Sequence, residues 1–303
     1  MHRWLLLTLA LCGVFLGACG TGPQLDTEGA GVRVVATTTQ IGALTREVAG
    51  GQVRLTVLLQ AGADAHDYEA NPRSVKAVSE SAVVLKNGIG LDDWLDRLID
   101  NAGGKHRVVL VTEGVPVMKA TAGDEVGEDD PHVWHDPANA KIMVDNIVKA
   151  LSEADPAHAE LFAANGQRYN QVLDDTDAQV RALIDSIPAG NRKMVTNHDA
   201  FGYFIARYGL EYVGAIFPVS SKEGESSAKQ IAAIQNLVRT EQVKAIFAEA
   251  ELDPKVATQL AKDSGVKIVT GLFADSLGAK GSGGETIDGM LLSNARLIAE
   301  ALR

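Results

Sequence analysis

Cysteine is scarce. The 303 residues hold two, Cys12 and Cys19, both within the first nineteen positions. The rest of the chain therefore has neither a disulfide nor a thiol pair to build on. Positive charge is also in deficit. Lys and Arg number 28 against 39 Asp and Glu, a formal net charge of −11. That argues against nucleic acid as a partner, because phosphate binding asks for a basic face. Aromatic residues make up 5%. The sequence contains no HExxH, no GxSxG and no P-loop, so the familiar signatures of zinc peptidases, serine hydrolases and nucleotide enzymes are missing. Apolar residues, in contrast, reach 46%. The length suits one large or two ordinary domains, with enough apolar side chains for a sizeable core.

The N-terminus reads as a secretory leader over residues 1–18. Arg3 is followed by an apolar run from Trp4 to Leu16 and then by small residues. The run is too short to span a membrane comfortably. Leu16-Gly17-Ala18-Cys19 resembles a bacterial lipobox, which would place a lipid on Cys19 after cleavage. Losing the leader removes only Arg3 from the charge count, leaving about −12. Residues 19–31 are glycine-rich and polar and read as a lipidated tether.

Beyond the tether, β-branched apolar runs alternate with helical patterns. Strands are predicted at 32–39, 53–60, 82–88 and 106–114, and again at 192–198, 211–218, 243–250 and 266–272. Such alternation predicts parallel sheets flanked by helices. Between the two series lies one long helical pattern. Asp155-Pro156 suits an N-cap and first helical residue, and Pro188-Ala189-Gly190 stops it. The expected fold is α/β. An N-terminal lobe over 32–154 and a similar C-terminal lobe over 188–303 are joined by a rigid linker helix over 155–187, about 46 Å long. The closing stretch 285–303 is predicted as an amphipathic helix.

Open parallel sheets bind ligands beyond the carboxyl ends of their strands. Metal-capable residues gather there. His66 follows strand 53–60, His198 ends strand 192–198, Glu249 ends strand 243–250, and Asp275 follows strand 266–272. His132 precedes a helix that Asp136 caps and Pro137 begins. Three imidazoles and a carboxylate suit Zn²⁺ and, less selectively, Mn²⁺. On the residues alone, Glu249 rivals Asp275 for the carboxylate position. His106 and His158 read as ordinary surface residues.

Four motifs extend this reading. HDYEANP (66–72), DPHVWHDP (130–137), TNHDAFGYFIARYGL (196–210) and FADSLG (273–278) together resemble the metal-binding solute-binding proteins of ABC importers, the cluster A-I or cluster 9 family. The similarity runs in order from about residue 32 to residue 303. It implies two lobes clasping a metal ion, with His66, His132, His198 and Asp275 as ligands. It also implies delivery to a membrane permease by an extracytoplasmic, lipid-anchored protein, expected to be a monomer. Manganese-type relatives often place glutamate where this chain has His198, so the third imidazole favours zinc, with manganese as the alternative. Glu249, His135, Asp64 and Asp199 are candidates to support the ligands through hydrogen bonds, as is Asp67. His135 departs from the family pattern, which is apolar or aromatic there, and is read as a group at the cleft mouth or behind a ligand.

The short acidic loop before His132 holds Asp124, Glu125, Glu128, Asp129 and Asp130 and reads as a solvated face. The glycine-rich stretch 276–286 has few apparent apolar anchors, and is expected to order over the cleft when Asp275 binds metal. Two other function classes stand beside the transport receptor. A secreted zinc hydrolase would need an open coordination position and a general base. A surface adhesin is a label carried by some relatives, and nothing in this sequence specifies a host partner for it.

Overall fold

A computed structural model describes residues 26–66, 68–120, 127–217, 228–250 and 253–303. Cys19, the leader, Asp67, Asp124 and Glu125 lie outside the described residues.

The N-terminal sheet combines β1 (Asp26–Glu28), β2 (Val32–Ala36), β3 (Val53–Val57), β4 (Val83–Lys86) and β5 (Arg107–Leu110) in the order β1-β3-β2-β4-β5. β2 to β5 pair in parallel, whereas β1 runs antiparallel to β3 with Asp26 opposite Val57 and Glu28 opposite Leu55. This corrects the tether boundary. Residues 26–28 belong to the sheet, because the exposed edge of β3 offers them a full ladder partner. Helices α1 (Thr39–Ala49), α2 (Pro72–Glu80) and α3 (Trp94–Ala102) cross between the strands. Thr38 caps α1 by accepting from the Ile41 N–H, and Gly50 closes it with φ 57°.

The C-terminal sheet is wholly parallel, in the order β7-β6-β8-β9. Its strands are β6 (Lys193–His198), β7 (Glu211–Phe217), β8 (Ala245–Glu249) and β9 (Lys267–Leu272). It carries α6 (Gly202–Tyr208), α7 (Ala228–Thr240) and α8 (Lys255–Ser264). Two lobes of parallel sheet and flanking helices thus match the expected class.

Between them stand α4 (Pro137–Ala154), α5 (Ala159–Asp185) and the closing helix α9 (Ile287–Leu302). The linker is shorter than the sequence pattern implied. Asp155 ends α4, with its N–H bonded to the Leu151 carbonyl, and Pro156–His158 form a separate 3-10 turn. His158 Nδ1 lies 2.7 Å from Asp155 Oδ2 across that turn, so the α-helix starts only at Ala159. Its 27 residues give about 40 Å. Gly166, which looks like a weak point in a helix, has a packing reason. A Cβ there would meet Val148 Cγ2 at 2.5 Å, so glycine lets α5 lie close on α4. Tyr169 donates to Asp288 Oδ1 at 2.8 Å and ties α5 to α9.

One apolar core runs through this middle layer. Leu44 and Val48 of α1, Met143 and Ile147 of α4, Phe162 and Leu173 of α5, and Met290 and Ile298 of α9 share it with strand residues of both sheets. Smaller clusters fill the outer faces of the two sheets. The lobes are therefore joined by shared packing as well as by a linker.

Candidate metal centre

The strand ends of both sheets converge on His66, His132, His198 and Asp275. One donor atom from each lies within 4.8 Å of the others. The three imidazole centroids form a near-regular triangle with sides of 5.2, 5.5 and 5.9 Å. His66 Nε2 and His132 Nε2 are 3.4 Å apart. Asp275 lies 3.0 Å from His132 Nε2, 3.5 Å from His66 Nε2 and 3.7 Å from His198 Nδ1. Two nitrogens bound tetrahedrally at about 2.0–2.1 Å would sit about 3.3–3.4 Å apart. The donor set fits a small divalent cation on chemistry and on spacing.

Local structure holds each donor. His66 lies in the loop after β3, where Asp64 Oδ1 accepts its backbone N–H at 2.8 Å. Trp94 Nε1 donates to the neighbouring Ala65 carbonyl at 3.0 Å. His132 begins a 3-10 turn, Val133–His135. Asp130 Oδ1 accepts the His132 N–H at 2.9 Å and lies 2.7 Å from Nδ1. Tyr203 of α6 donates to the Asp130 carbonyl and accepts the Met118 N–H, both at 2.9 Å, so the C-terminal lobe braces this segment. His198 ends β6, and its Nδ1 lies 3.2 Å from Glu249 Oε2. Glu249 is itself placed by its N–H, which donates to Asn197 Oδ1 at 3.0 Å.

The segment carrying Asp275 is well anchored. Trp134 Nε1 and Gln40 Nε2 both donate to the Ala274 carbonyl, at 3.1 and 3.3 Å. The Gly62 N–H donates to Ser276 Oγ at 2.8 Å, and the Leu277 N–H to Thr39 Oγ1 at 2.9 Å. Leu277 is buried, and the Gly278 N–H reaches the Gly284 carbonyl at 2.9 Å. Leu277 is thus an apolar anchor at the start of this loop, and polar bonds from the N-terminal lobe hold it as well. The sequence shows its glycines but not the N-terminal lobe donors that hold it.

Charge follows the geometry. Burial drives the His66 imidazole down to about 4. Burial also opposes protonation of His132, but the Asp275 charge and the Asp130 hydrogen bond outweigh it and lift the imidazole to about 9. Burial alone would raise the Asp275 carboxyl; the surrounding histidines, His198 and His132 foremost, instead hold it far below the usual carboxylate range. Burial raises Glu249, and raises Asp199 to about 6.

The supporting candidates fare unequally. Glu249 touches the His198 ring, and Asp64 accepts the His66 backbone N–H. Asp199 is buried and faces Tyr212. His135 is not at a cleft mouth. It is fully buried beside Trp134 and Phe201, and neither ring nitrogen has a partner among the described residues. The 3-10 turn, rather than an extended segment, carries it into the core. Asp130, which the sequence reading left in the acidic loop, is the carboxylate behind His132. Its two-residue spacing to His132, typical of an Asx-turn, was the available signal.

Residues 34–301 match the family model described as zinc-uptake complex component A, periplasmic. The chain is 32% identical to the manganese ABC transporter substrate-binding lipoprotein PsaA of Streptococcus pneumoniae, over 98% of this chain and 97% of that one. It is 31% identical to the manganese-binding lipoprotein MntA of Halalkalibacterium halodurans, over 99% and 97%. Among solved structures, the periplasmic zinc binding protein TroA from Treponema pallidum superposes with a TM-score of 0.83 at 32% identity, covering 90% of this chain and 99% of that one. PsaA is thus named as the substrate-binding component of a transporter, and MntA and TroA as metal-binding proteins. The chain belongs to the zinc-uptake component A family, the metal-binding substrate-binding proteins of ABC importers.

Proposed function

We propose that this protein captures Zn²⁺ through His66, His132, His198 and Asp275 and passes it to an ABC permease. The convergence of those four donors within 4.8 Å carries the reading. Three imidazoles favour zinc over the harder manganese ion. Four protein donors also fill a tetrahedral shell, which leaves no position for a reactive water. The protein works outside the cytoplasm as a monomer, held to the membrane by a lipid on Cys19. The second reading, a manganese or mixed receptor, draws on the names of PsaA and MntA.

The deciding experiment is competitive metal binding on leader-free protein, with bound metal identified by elemental analysis. Zinc should win at neutral pH, and His198→Glu should narrow the gap by supplying an oxygen donor. Tighter binding of manganese by the parent protein would overturn the zinc assignment.

A further inference from the structure

A strained turn lies beside the segment that carries His132. Residues 87–92 follow β4, and Gly88, Ile89 and Gly90 have φ of 76°, 56° and 82°. Glycine takes such values freely, whereas a β-branched residue there is an outlier. Such a conformation persists only where the surroundings over-determine it.

Asp92 supplies that constraint. Its buried carboxylate accepts the Asn87 N–H, the Gly88 N–H and the Thr37 hydroxyl, each at 2.7 Å. The Thr112 hydroxyl donates to the Asn87 carbonyl at 2.5 Å, and the Ile89 side chain packs on the main core. The ends of β2 and β4 and the segment after β5 are thus gathered on one turn.

The turn fixes one side chain that faces outward from it. Asn87 is fully buried, and its Nδ2 donates to the Pro131 carbonyl at 3.2 Å and to the Gly88 carbonyl at 3.1 Å. Pro131 immediately precedes His132. The peptide unit joining them is therefore gripped at both ends. Its carbonyl accepts from Asn87 and from the Val133 N–H, and its N–H donates to Asp130 Oδ1. A peptide plane held this way sets where the His132 ring begins, before any cation arrives.

We propose that Asn87 and Asp92 are positioning residues of the metal centre. Asp92 holds the strained turn, the turn holds Asn87, and Asn87 holds the peptide that aims His132. This rests on the reading of His132 as a metal donor. Neighbours that orient ligands in this indirect way typically change metal affinity by about 10–100-fold when removed.

The test uses the full leader-free chain loaded with Co²⁺, whose visible spectrum reports ligand geometry, and with Zn²⁺ for ¹⁵N spectra of labelled histidine rings. Asn87→Ala leaves Asp92 and the turn in place. It should weaken Co²⁺ and Zn²⁺ binding about tenfold, shift the cobalt bands and move the His132 ring resonances. The His66 and His198 resonances should stay. Asp92→Ala should do the same more strongly; if that variant does not fold, Asn87→Ala decides alone. Loss of stability without a shift in the bands or in the His132 resonances would overturn the proposal. An unchanged cobalt spectrum in Asn87→Ala beside a changed one in His132→Ala fells the turn alone. An unchanged spectrum in His132→Ala fells the reading of the site and this inference with it.

Discussion

His132 and His66 are the same residue type, 3.4 Å apart at Nε2, in opposite surroundings. His132 is fully buried, with the Asp130 carboxylate behind its ring and Tyr203 donating to the Asp130 backbone carbonyl. His66 sits on a loop, its side chain 12% exposed, with Asp64 accepting its backbone N–H. One imidazole is lifted to about 9 and the other pushed to about 4. Position in the fold, not chemistry of the side chain, makes His132 the prebuilt half of the pair. His66 supplies a neutral nitrogen from the more yielding side.

The largest break in that comparison comes from deleting each ring. His132→Ala should weaken zinc binding about a thousandfold, roughly 4 kcal/mol. His66→Ala should lose about a hundredfold, since a loop can readjust and a water can take its place. Isothermal titration with a competing chelator measures both. Equal losses would mean that the two histidines contribute alike.

The carboxylates behind the rings sharpen it further. Asp130→Asn should reduce affinity by about 10–100-fold. Asp64→Asn keeps an oxygen that can accept the His66 backbone N–H, and should stay within about threefold of the parent.

Acid provides the third test. Below about 9 the metal-free protein holds a proton on His132, and a bound cation must displace it. His66 is already neutral above about 4. Affinity should therefore rise about tenfold per pH unit towards pH 9 and flatten above it. Competition titrations between pH 6 and pH 10 would show the bend. A plateau already reached near 6.5 would mean that His132 behaves as an ordinary imidazole.

The smallest effect belongs to His135, three residues from His132 but with neither ring nitrogen partnered among the described residues. A buried polar group without partners costs about 1–3 kcal/mol. His135→Phe should raise the stability of the metal-free protein by about 1 kcal/mol in urea and leave zinc affinity within threefold. A tenfold loss of affinity would place His135 in the metal centre after all.

Much of this architecture was legible before any coordinates. The alternation of β-branched runs and helical patterns announced two parallel sheets. The strand-end rule gathered His66, His198, Glu249 and Asp275, and the resemblance of the four motifs added His132 and preferred Asp275 to Glu249. What escaped was set by contacts between distant segments. Residues 26–28 have no strand pattern of their own and become a strand because β3 has an open edge. Asp155-Pro156 reads as a helix start, yet Asp155 closes the helix before it and His158 tightens the turn. The glycines of 276–286 suggest freedom, but donors from the N-terminal lobe remove it at Ser276 and Leu277. The turn at Ile89 leaves no trace in a hydropathy pattern, because its cause is a carboxylate three residues away.

The core shared by α1, α4, α5 and α9 also governs how the molecule melts. Two lobes with separate interiors would come apart in two thermal steps. Here neither sheet can part from α1, α4, α5 and α9 without exposing apolar side chains that also line the other half, whereas α2, α3, α7 and α8 pack on clusters of their own. Melting of that shared core is therefore expected in one step. A cation held as proposed, by donors from both lobes, should shift that step as a whole, by about 2.7 kcal/mol at a free concentration a hundred times the dissociation constant. The melting curve itself thus becomes a gauge of the cargo.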